Sequence, residues 1–357
     1  MKSVRNHRGI ALLITIAVIA LLVTVALELN RNARATAAAA AATRNSITLS
    51  NMATSGIHIA MAVLVKDKTE SKIDSIQEGW ADPEEMAQIL QEFPFEDGSL
   101  TVKISDELSR IQVNAIVKFP DRKKGNDPQM FLWDRFLTMY IFGDEYLEEI
   151  EPRSIVASLK DWIDAGDDDA ITGSTGAESD YYEGLNPPYS CRNGPIPHTS
   201  ELILIKGITP DLFYGNEDKP GISEFVTADG MAPAGKNKSA FEGKININTA
   251  EIPVLSALLP LKHASFAQLI YDYRSEKTES VYLYDLTDPQ WYKNIPGLGD
   301  VEIDPKLIST SSDIFRVESV ASLDGHNMKM SVTSVIQREK DEKTGKWKCG
   351  VLRSRTN

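Results

Sequence analysis

The sequence predicts an α+β protein in which a long N-terminal helix packs on a small antiparallel sheet. A large, mainly helical domain is predicted to be inserted between the strands of that sheet. Three observations support this fold: an unbroken helical pattern at the N-terminus, strand-like segments on both sides of the middle, and helical spacing between them. With 357 residues, the chain is long enough for two ordinary domains in addition to the helix.

The N-terminal helix is predicted from composition. Ile10 to Leu27 contains no charged residue, which meets the length of about 20 residues that a bilayer-spanning helix needs. Glu28 begins a polar, alanine-rich extension, and no glycine or proline occurs from Ile10 to Ser55. A helix of these 46 residues would be about 69 Å long. We therefore expect one helix with a transmembrane half over residues 10–28 and a polar half over residues 29–70.

Four segments alternate apolar and polar residues as strands do: 99–105, 110–117, 314–321 and 328–337. Asp106–Ser109 is predicted to be the turn of the first pair. Asp324–Asn327 joins the second pair, and its Asp-Gly sequence is typical of a hairpin. We expect these strands to form one head, made of residues 71–122 and 311–345, which packs on the polar half of the helix. Residues 346–357 are predicted to be a tail.

Residues 123–310 are predicted to form the inserted helical domain. Apolar residues recur with helical spacing in five stretches: 131–140, 152–164, 200–206, 252–259 and 264–274. Gly215–Gly243 is rich in glycine, lysine and proline and is therefore predicted to be a loop. We divide the domain into residues 123–240, which contain an acidic loop, and residues 241–310, which have a helix-hairpin-helix (SAM-like) pattern.

The acidic loop is the densest chemical feature of the chain. Asp161–Glu183 contains eight carboxylates and neither lysine nor arginine, and its glycines allow the backbone to fold back. Clustered carboxylate oxygens suit Ca²⁺, which prefers six to eight oxygen ligands. The alternative is a solvated acidic loop that binds no metal.

Composition argues against several classes of function. The net charge of −13 would repel the phosphates of nucleic acid, so we expect no nucleic-acid partner. The five histidines are scattered, and no Gly-x-Ser-x-Gly motif occurs. We therefore expect no catalytic residues and no enzyme activity.

The two cysteines, Cys191 and Cys349, leave two alternatives open. In an oxidising compartment they could form one disulfide. Such a bond would close a long loop and would stabilise the fold by about 5 kcal/mol in the chain-entropy account. Two separate thiols are the other alternative.

The first residues resemble a type IV prepilin leader. A short basic segment, residues 1–9, ends at Gly9 and is followed by Ile10 and further apolar residues. The resemblance implies that prepilin peptidase cleaves after Gly9 and that the new N-terminal residue, Ile10, is N-methylated. Most prepilins carry glutamate at the fifth mature position, where this chain has Ile14.

That isoleucine and several further motifs make the chain similar to the K-type minor pseudopilins of the type II secretion system, the general secretion pathway protein K family. K-type proteins are the relatives that lack the glutamate. The further motifs follow the family's order along nearly the whole chain: Ile104–Glu107, Asp161–Asp164, Gly176–Glu178, Asn193–Pro195, Ser200–Leu202 and Lys244–Ala250. One departure is Gly166, which stands where the family often has a second aspartate.

The resemblance implies a role in assembly. A K-type minor pseudopilin caps the tip of the pseudopilus, initiates its assembly with the I-type and J-type minor pseudopilins, and supports protein secretion across the outer membrane. The expected location is the cell inner membrane, crossed once, with the C-terminal bulk in the periplasm. The resemblance also implies Ca²⁺ as a cofactor of the inserted domain, and the expected ligands are Asp164, Asp167, Asp168, Asp169, Glu178, Asp180 and Glu201.

Two other functions remain open. Residues 241–310 resemble a helix-hairpin-helix DNA-binding unit, so one alternative is a membrane-anchored DNA receptor. The hairpin of that unit, Leu261–Ala264, lacks the usual glycine. The other alternative is a tip subunit or adhesin of a type IV pilus, because pili and pseudopili share the leader.

Overall fold

The structure is a computed structural model that describes residues 8–96, 98–142, 150–166, 172, 175–234, 238–325 and 327–357. Its first element, α1, is a single helix of 63 residues, Arg8–Glu70, and is about 95 Å long at a rise of 1.5 Å per residue. The first part of α1 is exposed. From Leu49 to Leu64, one face of the helix is buried against the rest of the protein.

The elements that follow α1 are short. In chain order they are α2 (Pro83–Gln91), β1 (Gly98–Asp106), β2 (Ile111–Gln112), α3 (Asp127–Ile141), α4 (Pro152–Ile163), α5 (Ser179–Glu183), α6 (Pro210–Tyr214), β3 (Val226–Thr227), β4 (Met231–Pro233), β5 (Ser239–Phe241), β6 (Ile245–Asn246), α7 (Ile252–Leu258), α8 (Ala267–Ser275), β7 (Lys277–Thr278), β8 (Val281–Tyr282), β9 (Ile308–Ser309), β10 (Ile314–Leu323), β11 (Lys329–Lys340) and β12 (Trp347–Thr356).

A four-stranded antiparallel sheet with the order β1-β10-β11-β12 packs on the second half of α1. Alternate side chains such as Val102 and Val317 point towards the helix and are buried there. The helix and sheet approach closely at Gly56, where a Cβ atom would lie 2.2 Å from Ser319 Oγ. The segment between β1 and β10 forms a separate, mainly helical domain, so the predicted fold class is confirmed.

The strand prediction for residues 110–117 was wrong. Only Ile111–Gln112 is a strand, and it pairs in parallel with β3 instead of with β1. Val113–Ile116 is a 3-10 helix. Every residue from Ile111 to Val117 is buried, so the alternation in sequence does not separate an inner face from an outer face. This segment belongs to the core of the inserted domain and not to the head.

The prediction of a tail over residues 346–357 was also wrong. Trp347–Thr356 is β12, an edge strand that pairs with β11. The turn before it is formed by Asp341, whose carboxylate accepts hydrogen bonds from the backbone N–H of Lys343 (3.1 Å) and Thr344 (2.8 Å). Gly345 completes the turn with a φ of 68°. Because an aspartate that binds the backbone two and three residues further on is a turn signal, Asp341 and Gly345 mark this turn in the sequence as well.

The inserted domain has its own hydrophobic core, separate from the core between α1 and the sheet. Its centre contains large side chains of α3 and α4, including Trp133, Phe136 and Leu159. Two of the predicted helices are partly or wholly 3-10 helices. The predicted helix at 200–206 is the 3-10 helix Thr199–Leu204, and the one at 264–274 starts as the 3-10 helix Leu261–Phe266 before α8.

Buried acidic residues at the end of the sheet join the head to the inserted domain. Asp106, the last residue of β1, accepts hydrogen bonds from Asn246 Nδ2 (2.7 Å) and Thr249 Oγ1 (2.6 Å). The next residue, Glu107, is held by Arg316 of β10 through two contacts of 2.9 Å. Glu107 also accepts a hydrogen bond of 2.7 Å from Thr227 Oγ1. Asp106 therefore ties the end of β1 to the inserted domain, and the Glu107 carboxylate binds the head and the inserted domain at once.

A second buried group of charges connects α1 to the same junction. Arg338 of β11 is buried, donates to the carbonyl oxygen of Leu64 (3.0 Å) and pairs with Asp74 (2.6 Å) and Asp67 (3.2 Å). The backbone carbonyl oxygen of Asp74 accepts a hydrogen bond of 2.8 Å from Asn246 Nδ2. A single chain of contacts therefore runs from α1 through Arg338 and Asp74 to the inserted domain.

The pKa values of these acids are shifted in different directions. Burial raises the pKa of Asp106 to about 6. Burial, together with Glu78 and Asp74 nearby, raises the pKa of Asp67 to about 7 in spite of Arg338. Burial would also raise the pKa of Glu107, but Arg110 and Arg316 outweigh it and hold the pKa of Glu107 below its ordinary value.

These pKa values predict that the fold loses stability as pH rises from about 5 to 8. An aspartate in the unfolded chain has a pKa of about 3.9, so in this window the folded state binds more protons than the unfolded state and its stability falls with pH. We expect the melting temperature of the full chain in detergent micelles to decrease from pH 5 to pH 8. Asp67→Asn should make this decrease smaller.

Replacement of the exposed Asp324 by asparagine is the matched control and should leave the pH dependence unchanged. Equal slopes for Asp67→Asn and the wild-type chain would contradict the prediction.

Candidate functional site

Two parts of the molecule are candidates for function, and the first is the N-terminal half of α1. It is the one helix in the described part of the chain that is long and apolar enough to cross a membrane, and its apolar segment is not buried against the protein. Thr15 and Thr24 are the polar side chains within it that donate to backbone carbonyls one turn earlier, at 2.7 Å and 2.8 Å. Their hydroxyl groups are thereby satisfied inside the helix, as a lipid environment requires.

Gly9, Ile10 and Ile14 lie in the first turns of this helix. Gly9 has open space around it, since an added Cβ atom would meet nothing within 4 Å. The side chains of Ile10 and Ile14 are 57% and 59% exposed. Cleavage after Gly9 and methylation of Ile10 stay predictions.

The inserted domain lies at the opposite end of α1. The chain leaves the sheet at Asp106 and re-enters it at Ile314, next to Arg338, which contacts Leu64 near the C-terminal end of the helix. Asn45, nearer the apolar half of α1, contacts Met328 at the other end of the sheet. The apolar segment and the inserted domain are therefore separated by the length of the head.

The second candidate is a group of three carboxylates, Asp161, Asp164 and Glu178, which each offer an oxygen within 4.8 Å of the others. Asp161 and Glu178 are buried. The Asp161 carboxylate accepts hydrogen bonds from the backbone N–H of Ala177 (3.0 Å) and of Thr172, and from the Thr172 hydroxyl. A Cβ atom at Gly176 would lie 2.0 Å from Asp161 Oδ2, so only glycine lets the loop reach this carboxylate.

Lys160 supplies positive charge to this group. Its ammonium nitrogen lies 2.6 Å from Asp164 Oδ2, 2.7 Å from Thr172 Oγ1 and 3.5 Å from Asp161 Oδ1. Burial lowers the pKa of Lys160, but the carboxylates of Asp164 and Asp161 outweigh this effect and the pKa is raised. The ammonium group thus compensates part of the negative charge of Asp161 and Asp164.

The predicted calcium ligands are only partly brought together. Asp164 and Glu178 belong to the carboxylate group, whereas Asp180 is exposed on α5 outside it. Glu201 instead pairs with Arg192 and accepts a hydrogen bond of 2.9 Å from Trp162 Nε1. Asp167, Asp168 and Asp169 lie outside the described residues.

Asp161 was not among the predicted ligands, although it is a member of the group. Its place on the predicted helix 152–164 was visible in the sequence, but the loop that brings Glu178 close to it was not. In chemical terms the oxygen donors fit a hard cation such as Ca²⁺, which would have to displace the Lys160 ammonium group.

The structure does not support a disulfide between the two cysteines, both of which it describes. The sulfur of Cys191 lies in the core of the inserted domain, 3.5 Å from the carbonyl oxygen of Asp161. The sulfur of Cys349 lies on β12, 3.7 Å from the carbonyl oxygen of Met61. The two residues belong to different cores and are not bonded to each other, so of the two alternatives that the sequence left open, the structure has two separate thiols.

The region that resembles a helix-hairpin-helix unit contains α7 and α8, joined by the 3-10 helix Leu261–Phe266. No glycine occurs in this connection. Glycine allows the hairpin backbone of such a unit to approach phosphate closely. The connection therefore lacks the feature through which the hairpin of such units contacts DNA.

Comparison with known proteins relates the chain to one family. The family model described as "Type II secretion system (T2SS), protein K" matches residues 109–215. Type II secretion system protein K of Aeromonas hydrophila is 29% identical over 163 residues, which cover 45% of this chain and 47% of the relative. The protein of the same name from Pseudomonas aeruginosa is 28% identical over 216 residues, covering 58% and 55%. That from Pectobacterium carotovorum is 33% identical over 126 residues, covering 34% and 35%.

The chain thus spans about half the length, or less, of these curated relatives. A solved structure covers more of it. A chain in the crystal structure of the GspK-GspI-GspJ complex from the enterotoxigenic Escherichia coli type 2 secretion system matches with a TM-score of 0.59 and 17% identity. The match covers 88% of this chain and 98% of that chain and shows that the fold is shared. The chain therefore contains a segment, residues 109–215, that matches the type II secretion system protein K family model, and the curated relatives and the shared fold agree with this similarity.

Proposed function

We propose that this chain is a minor pseudopilin that caps the tip of the type II secretion pseudopilus, initiates its assembly and supports protein export across the outer membrane. The observation that carries the proposal is the position of the inserted domain relative to α1. The apolar half of α1 is exposed at one end of the molecule, and the inserted domain lies beyond the other end. A subunit stacked above it would occupy the same space as this domain, so the chain fits the tip and not the shaft.

Ile14 supports the same position. In related pilins, a glutamate at the corresponding site is thought to neutralise the amino terminus of the neighbouring subunit already in the filament. Ile14 is exposed and uncharged, so it cannot provide that contact. A subunit at the tip has no neighbour above it and therefore does not need this glutamate contact.

The proposed assembly begins in the cell inner membrane. The apolar half of α1 spans the bilayer, prepilin peptidase removes residues 1–9, and the bulk of the chain lies in the periplasm. We propose the I-type and J-type minor pseudopilins as partners. The structural neighbour belongs to a GspK-GspI-GspJ complex, which supports this choice.

Leader removal predicts a specific mature N-terminus. In cells that contain prepilin peptidase, mass spectrometry of the purified full chain should show N-methylated Ile10 as the first residue. Gly9→Leu should keep residues 1–9, because the peptidase requires the small residue before the cleaved bond. The wild-type chain from cells without the peptidase is the control and should also keep its leader. Met1 on the mature wild-type chain would contradict the prediction.

The tip position predicts one label per filament. Glu217 is exposed in the inserted domain, and Glu217→Cys allows a gold particle to be attached in assembled pseudopili. Electron microscopy should show one particle at one end of each filament. A cysteine placed at the same type of exposed site on a major pseudopilin is the control and should give particles along the shaft. Shaft labelling from Glu217→Cys would exclude a tip cap.

We further propose that Ca²⁺ binds the inserted domain through Asp161, Asp164 and Glu178. Support comes from the three oxygens within 4.8 Å of one another, a spacing that suits shared coordination of one hard cation. Bound Ca²⁺ would neutralise the group in place of Lys160 and would fix the loop against α4. This role is structural.

Calcium is therefore predicted to raise the melting temperature of the full chain, and EDTA to lower it. At a concentration 100-fold above Kd, binding would stabilise the folded state by about 2.7 kcal/mol. Asp161→Asn should abolish the shift with calcium. Glu201→Gln is the matched control, because Glu201 lies outside the carboxylate group, and it should keep the shift. An unchanged melting temperature of the wild-type chain in both calcium and EDTA would end this proposal.

A further inference from the structure

We propose that the open edge of β12 binds an extended, acidic segment of another protein chain, which adds a strand to the four-stranded sheet. This inference does not depend on the position of the chain in a filament. It rests on the backbone of the edge strand and on the charge around it.

One edge of β12 carries backbone N–H and C=O groups that point away from the sheet. Within the described part of the chain, β12 pairs with β11 on one side only. Ser331 and Asn357 exchange both backbone hydrogen bonds, at 2.9 and 3.1 Å. The backbone N–H of Asp341 donates to the carbonyl oxygen of Lys346 at 2.8 Å. Because such pairs alternate along an antiparallel ladder, five residues of β12 direct their N–H and C=O groups outwards: Trp347, Cys349 and Val351 before the register shift, and Ser354 and Thr356 after it.

The chain around β12 is rich in basic residues. Residues 340–357 contain six lysines and arginines but only two acidic residues, in a chain whose net charge is −13. Lys346 and Arg355, on either end of the strand, make no ion pair within the described residues. Val351 and Leu352 between them are each 48% exposed. The edge therefore combines a basic field with a short apolar segment.

The charge of the edge also distinguishes between two possible binding partners, a second copy of β12 and an acidic strand of another protein. Lys348 is paired with Glu339 and Asp341, and Arg353 with Asp229, so Lys346 and Arg355 contribute the positive charge that these ion pairs do not compensate. Two copies of β12 paired with each other would bring these like charges together, which destabilises a cross-strand pair. Basic residues on an edge strand and a bulge, here between Val335 and Ile336, are devices that prevent indiscriminate pairing of this kind. An acidic strand meets no such repulsion and gains main-chain hydrogen bonds, as in other cases of strand addition.

Binding of a model peptide to the full chain in detergent micelles tests the proposal. The probe is a fluorescein-labelled peptide of about ten residues in which glutamate and valine alternate, and fluorescence anisotropy at low salt is the measurement. We expect saturable binding. The same peptide with N-methyl groups on alternate residues cannot form the hydrogen-bonded ladder. Its affinity should be lower by a factor of about ten or more. A lysine-valine peptide should not bind.

Two variants at Ser354 distinguish the loss of an outward backbone N–H from the loss of the serine side chain. Ser354→Pro removes an outward N–H, and Ser354→Ala is its matched control, because both lose the hydrogen bond of 2.9 Å to Ser334 Oγ. Proline is tolerated on edge strands when the missing N–H faces outwards. We expect about tenfold weaker binding for Ser354→Pro and unchanged binding for Ser354→Ala. Arg355→Glu should also weaken binding of the glutamate peptide.

Several results would overturn the proposal. They are the absence of saturable binding, equal binding of the N-methylated or lysine peptide, and a dimer of the wild-type chain that Ser354→Pro dissociates. The N-methylated peptide keeps the test decisive even if Ser354→Pro does not fold, because that comparison leaves the protein unchanged.

Discussion

The buried charges at the junction constrain the whole molecule. Arg338 bonds α1 through Leu64 and the following loop through Asp74. Glu107 connects the sheet and the inserted domain. Removing one partner of a buried ion pair typically costs about 3–5 kcal/mol, so none of these elements can move independently without leaving an uncompensated charge. The inserted domain therefore keeps a fixed position at the end of α1.

Because α1 is continuous, the fixed position of the inserted domain also sets its distance from a bilayer. A helix of 63 residues holds the head at a set distance from any bilayer that its apolar half spans. The sheet packs only on the second half, where Ala53, Gly56 and Ala60 allow close approach. The junction then places the inserted domain farther along the same axis. Helix, sheet and inserted domain thus form a series, with the apolar segment at one end.

Much of this arrangement could be predicted from sequence, since local patterns determine it. The long helix and the strands β1, β10 and β11 follow from periodicity. Residues 110–117 misled the prediction because alternation also occurs where both faces are buried. Asp161 was missed as a member of the carboxylate group because its partners come from loops, and no periodic pattern places Thr172 or Gly176 beside it. The junction was likewise unpredictable, since Asp74, Asn246 and Arg338 are far apart in the chain.

The edge strand β12 is connected to the same junction. Arg353 lies 2.7 Å from Asp229 Oδ2 and 3.9 Å from Glu107 Oε1, so the carboxylate that joins the two domains also holds this strand. The ladder to β11 fixes β12 from one side and these ion pairs fix it through the inserted domain. A receptor strand that is already ordered loses little conformational freedom on binding. The rigidity that the junction gives to the molecule is thus also the property that a strand-addition site requires.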